Sequence, residues 1–252
     1  GASLSEGCSR ARVTLAGGET ATLPGIVNEL DLSGTALGWF PRGGGITGEG
    51  LEVGDALIGL PSSGLHSNGY TLVRAVLERS GCSLGDAAPF DAEHPSREID
   101  RFPDSSGGAS LGEVILNPTR IYVDPVVDLI MESRGEGGVC PEGSIKAIAH
   151  ITGGGLSNLL RLHGSLGWHI GEPLSAQPEF EWIAEIGSVN SKEMHRTFNM
   201  GMGMVVAVSA AAADPVAYWL EERLSGSRVV GEVVDQGRVV THSDPGVRFV
   251  RY

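Results

Sequence analysis

Twice in this sequence an apolar run of strand length stops at a glycine-bearing turn and resumes as a helix. The first case runs from "DALIGLP" (55–61) through "SSGLHSNG" into "YTLVRAVLERSG", where Leu72, Val73, Val76 and Leu77 share one helical face and Gly81 ends it. The second runs from "IKAIAHIT" (145–152) into "GGGLSNLLRLHG", a helix opened by three glycines. Strands that hand over to helices need a sheet with helices packed on it, so the chain reads as α+β, in mixed α/β layers.

The rest of the pattern agrees. Residues 12–16, 30–40 and 202–209 read as strands, as do "RVVGEVV" and "GVRFVRY" near the end. "NPTRIYVDPVVDLIMES" reads as a helix opened at Asn117-Pro118, with Arg120 in its first turn and a kink at Pro125. "PEFEWIAEIG", "SKEMHRTF" and residues 214–224 are further helices. The glycine-heavy "PRGGGITGEG" suggests a boundary near residue 50, dividing the chain into 1–50 and 51–252. A polar tract over roughly 83–113 suits a surface loop.

Charge narrows the partners. With 31 acidic against 18 basic side chains the net charge is −13, which argues against nucleic acid. A small phosphorylated ligand remains open, since a nest of N–H groups and one or two cations suffice for it. Cys8, Cys82 and Cys140 match no zinc or redox spacing and read as reduced thiols. No apolar run reaches the length of a membrane span, so no membrane partner and a cytoplasmic location are expected. The sequence opens without methionine, and we expect it to be part of a longer chain.

The two glycine-bearing junctions also carry the chemistry. His66, Ser67 and Asn68 stand where backbone N–H groups are unpaired and an anion is favoured. A plain reading, with Ser67 or Asn68 capping the helix and Gly64 and Gly69 making the turn, fits this stretch equally well. Gly153, Gly154 and Gly155 let a ligand approach the backbone, although "TGGG" is neither a Walker A loop nor a dinucleotide fingerprint. Two such junctions at one sheet edge make phosphate binding the leading reading. In "AGGETATLPG", Glu19 and Thr20 suit magnesium or a ribose, though a solvated turn explains them as well. Asn199, Gly201 and Gly203 make a tight approach to a strand in which Met200, Met202 and Met204 pack. Arg196 is either an anion contact or a surface arginine. His150, His163, His169 and His195 show no metal-ligand spacing.

Five ordered motifs, "GGETATLPG", "GDALIGLPSSGLHSNGYTLVR", "NPTRIYV", "IAHITGGGLSNL" and "MHRTFNMGMGMVVAV", resemble the phosphoribosylaminoimidazole synthetase family (AIR synthetase, the formylglycinamidine ribonucleotide cyclo-ligases). The likeness runs from about Gly7 to the end. It extends in fold to formylglycinamidine ribonucleotide synthetase, thiamine-monophosphate kinase, selenophosphate synthetase and a hydrogenase maturation protein. It implies an ATP- and magnesium-dependent ring closure of formylglycinamidine ribonucleotide. ATP would phosphorylate the formyl oxygen, and the amidine nitrogen would then displace phosphate. On this likeness His66 and Asn68 would face the formamide. Ser62, Ser63, Gly64, Thr152, Gly153, Gly154 and Gly155 would hold phosphate and ribose, with Thr197 and Asn199 lining the same cleft. Glu19 and Thr20 would lie toward the nucleotide, Glu19 near its magnesium.

Two departures stand out. Thr22 and Leu23 replace a glutamate and a methionine common in the family. The family's N-terminal part, with its nucleotide loop, metal-binding aspartates and homodimer contacts, is not in these residues. The likeness therefore implies that 1–50 is the tail of a nucleotide-binding, dimer-forming domain, and that 51–252 is a complete substrate-binding domain with a mixed sheet flanked by helices, inactive alone. A sister ATP-dependent enzyme of the same fold, or a non-catalytic ligand-binding module, are the alternatives.

Overall fold

The structure, a computed structural model, describes residues 1–97 and 109–252. They fall into two compact units, Gly1–Gly45 and Ile46–Tyr252.

The first unit holds α1 (Ala2–Arg10), which buries no residue, followed by coil. The strands expected at 12–16 and 30–40 do not form. A strand needs a neighbour for its N–H and C=O groups and a surface for its apolar face. Neither is present in this unit, where Leu32, Leu37 and Trp39 stay exposed.

The second unit is built on a seven-stranded mixed sheet. In chain order its elements are β1 (Ala56–Pro61), α2 (Tyr70–Ser80), α3 (Leu111–Ile115), α4 (Val123–Ser133), β2 (Ile145–His150), β3 (Gly167–Ile170), α5 (Pro178–Gly187), α6 (Ser191–Thr197), β4 (Met202–Val208), α7 (Ala213–Arg223), β5 (Arg228–Val234), β6 (Val240–His242) and β7 (Arg248–Phe249). Across the sheet the order is β2-β4-β1-β5-β3-β6-β7, antiparallel except where β3 and β6 run parallel.

Burial on both faces explains the uninterrupted apolar run of β1. Leu57 joins one core with Ala149, Leu156, Trp168 and Val205, while Ile58 and Leu60 join a second with Leu129, Val206 and Leu220. A third core, Val73, Val76, Phe180, Ile183, Met194 and Phe198, binds α2, α5 and α6 together. The α+β reading therefore holds.

Local signals account for most helix ends. Gly81 closes α2 in a left-handed conformation at φ 71°, Pro178 occupies the first turn of α5, and Asn190 caps α6. Neither Ser67 nor Asn68 caps α2; Gly69 holds that position at φ 76°. Three expectations need correction. First, α4 begins at Val123, not at Asn117, so Pro125 lies in the first turn, where its missing N–H has no intrahelical partner to lose, and Arg120 precedes the helix. Second, the segment after the glycine triplet is a 3₁₀-helix, Gly155–Arg161, because Ser157 and Asn158 turn their side chains back onto the Gly154 and Gly155 carbonyls, at 2.7 Å each. Third, "GVRFVRY" forms a strand only at Arg248–Phe249. In the polar tract, α3 starts at Leu111 under a Ser110–Glu113 capping box. Its residues 98–108 lie outside the described residues.

Candidate functional site

The two glycine-bearing junctions meet at one pocket of about 610 Å³. Asn68 and Gly69 contribute from the start of α2, Gly153 and Gly154 from the turn after β2, and Glu193, Arg196 and Thr197 from one face of α6. Ser157 and Tyr252 complete its wall. Gly154 holds φ 97°, open to glycine without strain, and the N–H groups of Gly153 and Gly154 have no hydrogen-bond partner among the described residues. Arg196 is exposed and makes no ion pair or hydrogen bond among them. Free N–H donors and an unpaired guanidinium lining one pocket are suited to an oxyanion. Glu193 accepts from the Thr197 hydroxyl at 3.3 Å and offers a hydrogen-bond acceptor to the same space.

The other sequence candidates form the scaffold behind this wall. Ser62 and Ser63 are fully buried: Ser62 Oγ donates to Gln177 Oε1 at 3.2 Å, and Ser63 Oγ to the Pro118 carbonyl at 2.8 Å. Asn199 is buried too and donates to the Gly64 carbonyl at 2.8 Å while accepting from the Gly201 N–H at 2.9 Å. Gly155 is pressed against α6, since a Cβ there would lie 1.9 Å from the His195 carbonyl oxygen. The Thr152 carbonyl accepts the Gly155 N–H at 2.9 Å and so closes the turn.

His66 lies inside. It is 3% exposed, at φ 58°, with its ring 6.2 Å from that of Tyr122 and 6.3 Å from that of His150. Its Nε2 accepts the Ser63 N–H at 3.2 Å, which leaves the proton of the neutral ring on Nδ1. Nδ1 has no partner among the described residues. Burial first, then the charges of His150 and Arg120, push its pKa down to about 3. The ring is therefore neutral near pH 7, a hydrogen-bond donor and not a base poised to take a proton.

Beneath the 62–68 turn lies a buried ion pair that sequence reading missed. Arg97 Nη1 meets Glu179 Oε1 at 3.0 Å and Nη2 meets Oε2 at 2.5 Å, with both side chains closed to solvent. A Cβ on Gly64 would stand 3.0 Å from Glu179 Oε1, so this pair supports the turn directly. Gln177 Nε2 ties the same layer together, donating to the Ser62 carbonyl and to Ser96 Oγ at 2.7 Å each.

Glu19 and Thr20 lie on exposed coil in the first unit. Among the described residues no group of three or more His, Cys, Asp or Glu converges as a metal-binding set, so the residues present do not form a magnesium site around Glu19. No helix among them is long and apolar enough to cross a membrane.

Of the pocket residues that the sequence reading did not assign, Glu193 carried a faint signal: with Arg196 and Thr197 it is spaced i, i+3, i+4, one helical face. Nothing in the sequence marks Tyr252.

Comparison with known proteins follows the same residues. The model of the family "AIR synthase related protein, C-terminal domain" matches residues 52–244. The phosphoribosylformylglycinamidine cyclo-ligase of Methanococcoides burtonii is 38% identical over 237 residues, 94% of this chain and 62% of that protein. The chloroplastic phosphoribosylformylglycinamidine cyclo-ligase of Arabidopsis thaliana is 42% identical over 238 residues, 91% of this chain and 54% of that protein. The chain thus spans less than two thirds of the length of these curated relatives. Among solved structures, E. coli HypE, a hydrogenase maturation protein, aligns with a TM-score of 0.46 at 20% identity, covering 80% of this chain and 50% of that one.

Proposed function

The chain belongs to the AIR synthase related protein, C-terminal domain, family, and from that premise we propose that it supplies the ribonucleotide side of an ATP-dependent cyclo-ligase that closes formylglycinamidine ribonucleotide to aminoimidazole ribonucleotide in purine synthesis. One observation supports this above the others: the two glycine-bearing junctions and α6 put free N–H groups and the unpaired Arg196 on one pocket.

In this reading the 5′-phosphate lies on the Gly153 and Gly154 amides with Arg196 as its counter-charge. Thr197 and Glu193 take the ribose hydroxyls. Asn68 reaches the formamide from the pocket wall, while the buried His66 acts behind it, its Nε2 accepting the Ser63 N–H and so holding the 62–68 turn. Ser62, Ser63, Gly64, Thr152, Gly155 and Asn199 act by holding the two turns in place. The closure needs alignment and charge stabilisation, which fixed donors provide without reorganising during the reaction. ATP activates the formyl oxygen. We assign ATP to the side of residues 1–50, with Glu19 and Thr20 as contacts, and take residues 51–252 as the substrate domain. A homodimer in the cytoplasm is the form in which we expect the whole enzyme to work.

Calorimetric titration tests the reading. Formylglycinamidine ribonucleotide should bind the chain saturably, and Gly154→Val should abolish the heat. Tight binding of magnesium-ATP without the ribonucleotide would reverse the assignment and favour a sister ATP-dependent enzyme.

A further inference from the structure

Tyr252 lies past β7 and beyond residues 52–244, the stretch that the family model matches. Its ring nonetheless forms part of the pocket wall. Three contacts fix it there. The phenol Oη reaches the Gly153 carbonyl at 3.4 Å, a long and weak hydrogen bond. Ring carbon Cε2 covers Gly154 so closely that a Cβ on that glycine would stand 2.9 Å away. The Arg161 guanidinium lies 5.1 Å from the ring centroid, within cation–π range. Despite these contacts the residue is 61% exposed.

An aromatic ring in that place has little to do for the fold. It buries little area, and its hydroxyl makes one poor bond. Its position is better matched to a ligand. The Gly153 and Gly154 amides are the donors assigned above to the phosphate, so the ring stands beside the atoms bonded to that phosphate. In a ribosyl phosphate the group esterified to that phosphate presents the C5′ methylene and, beyond it, the apolar C–H face of the sugar, which pack well against an aromatic face or edge.

We infer that Tyr252 is a specificity-determining wall for the ribosyl part of a phosphorylated ligand, held in place by Arg161 and by the absence of a side chain at Gly154. This rests on the reading of the pocket as a phosphate site. The wall distinguishes a sugar phosphate from bare phosphate: the amides and Arg196 hold both, and the ring touches only the sugar.

The test compares ribose 5-phosphate with inorganic phosphate, titrated into the wild-type chain and into the Tyr252→Ala, Tyr252→Phe and Arg196→Ala variants. Tyr252→Ala should weaken ribose 5-phosphate roughly three- to tenfold and leave inorganic phosphate within about twofold. Tyr252→Phe should bind both like the wild type, because the ring and not the hydroxyl forms the wall. Melting temperatures of both Tyr252 variants should match the wild type within about 2 °C, as expected for an exposed side chain. Unchanged ribose 5-phosphate binding in Tyr252→Ala, or an equal loss for both ligands, overturns the wall while binding that Arg196→Ala weakens keeps the phosphate site. Failure of the wild type to bind either ligand, or binding indifferent to Arg196→Ala, removes the phosphate site and the wall with it.

Discussion

Asn199 donates from Nδ2 to the Gly64 carbonyl at 2.8 Å, across 135 positions of sequence. Its Oδ1 accepts the Gly201 N–H at 2.9 Å, so one buried amide joins the turn after β1 to the turn before β4. Asn199→Ala leaves a buried carbonyl and a buried N–H without partners. The loss should be about 1–3 kcal/mol of stability by urea denaturation, with weaker ligand binding as the 62–68 turn loosens. A variant as stable as the wild type would mean that the turn does not depend on this amide.

The ion pair of Arg97 and Glu179 should matter more than any surface pair. Both charges are removed from water, so deleting one leaves the other uncompensated. Glu179→Gln is expected to cost roughly 3–5 kcal/mol. By contrast, removing Glu6 from its exposed pairing with Arg10 should change stability by less than about 1 kcal/mol. Parallel denaturant titrations of the two variants check the difference.

Glycine substitutions should separate by position. Gly155 sits at φ 53° with the His195 carbonyl oxygen 1.9 Å from where a Cβ would be, so Gly155→Ala must displace α6 and is expected to cost about 2–4 kcal/mol. Gly137, at φ 70° with open space around it, should lose only about 1–2 kcal/mol on the same change. Comparable losses at the two sites would show that crowding against α6 is not what holds the glycine turn.

Stability should fall in mild acid. The His66 pKa is depressed from its ordinary 6.5 to about 3, by burial and then by His150 and Arg120, so below pH 6.5 the unfolded chain binds a proton that the folded chain refuses. The stabilisation is complete above pH 6.5 and is lost as pH falls toward 3, at roughly 1.4 kcal/mol per pH unit for a single group. His242, depressed to about 4 chiefly by burial, adds a smaller loss over pH 6.5 to 4 because it is only half-buried. His66→Asn tolerates the left-handed backbone and removes the titrating group. Its stability should vary less steeply over pH 6.5–4 than that of the wild type, and an equal slope would assign the acid sensitivity elsewhere.

What could be read from the sequence had a local cause. The runs of β1, β2, β4 and β5 and the faces of α2, α5 and α7 are written in hydrophobic period, and Gly81 and Pro178 mark helix ends by their own backbone preference. The convergence of Asn68, Gly153, Gly154 and Thr197 on one pocket was expected from the two junctions at one sheet edge and from the family resemblance, not from any local pattern at Thr197. Other features were out of reach because long-range packing decides them. His66 looked like a group facing a ligand, and its burial beside Tyr122 and His150 depends on residues about 55 to 85 positions away. Arg97 lay in a polar tract read as loop, where nothing local pairs it with Glu179. The strands expected at 12–16 and 30–40 failed for the complementary reason: alternation is visible in a segment, but a partner edge is not.

Backbone amides report most directly where the ribonucleotide binds. The measurement is a titration of isotope-labelled protein with formylglycinamidine ribonucleotide, following backbone amide resonances. The amides of Asn68, Gly69, Gly153, Gly154 and Thr197 should shift together along one saturation curve, and Arg196→Ala should move that curve at least about tenfold to higher ligand concentration. Saturable shifts confined to other parts of the chain, or none at these five amides, would contradict this binding site.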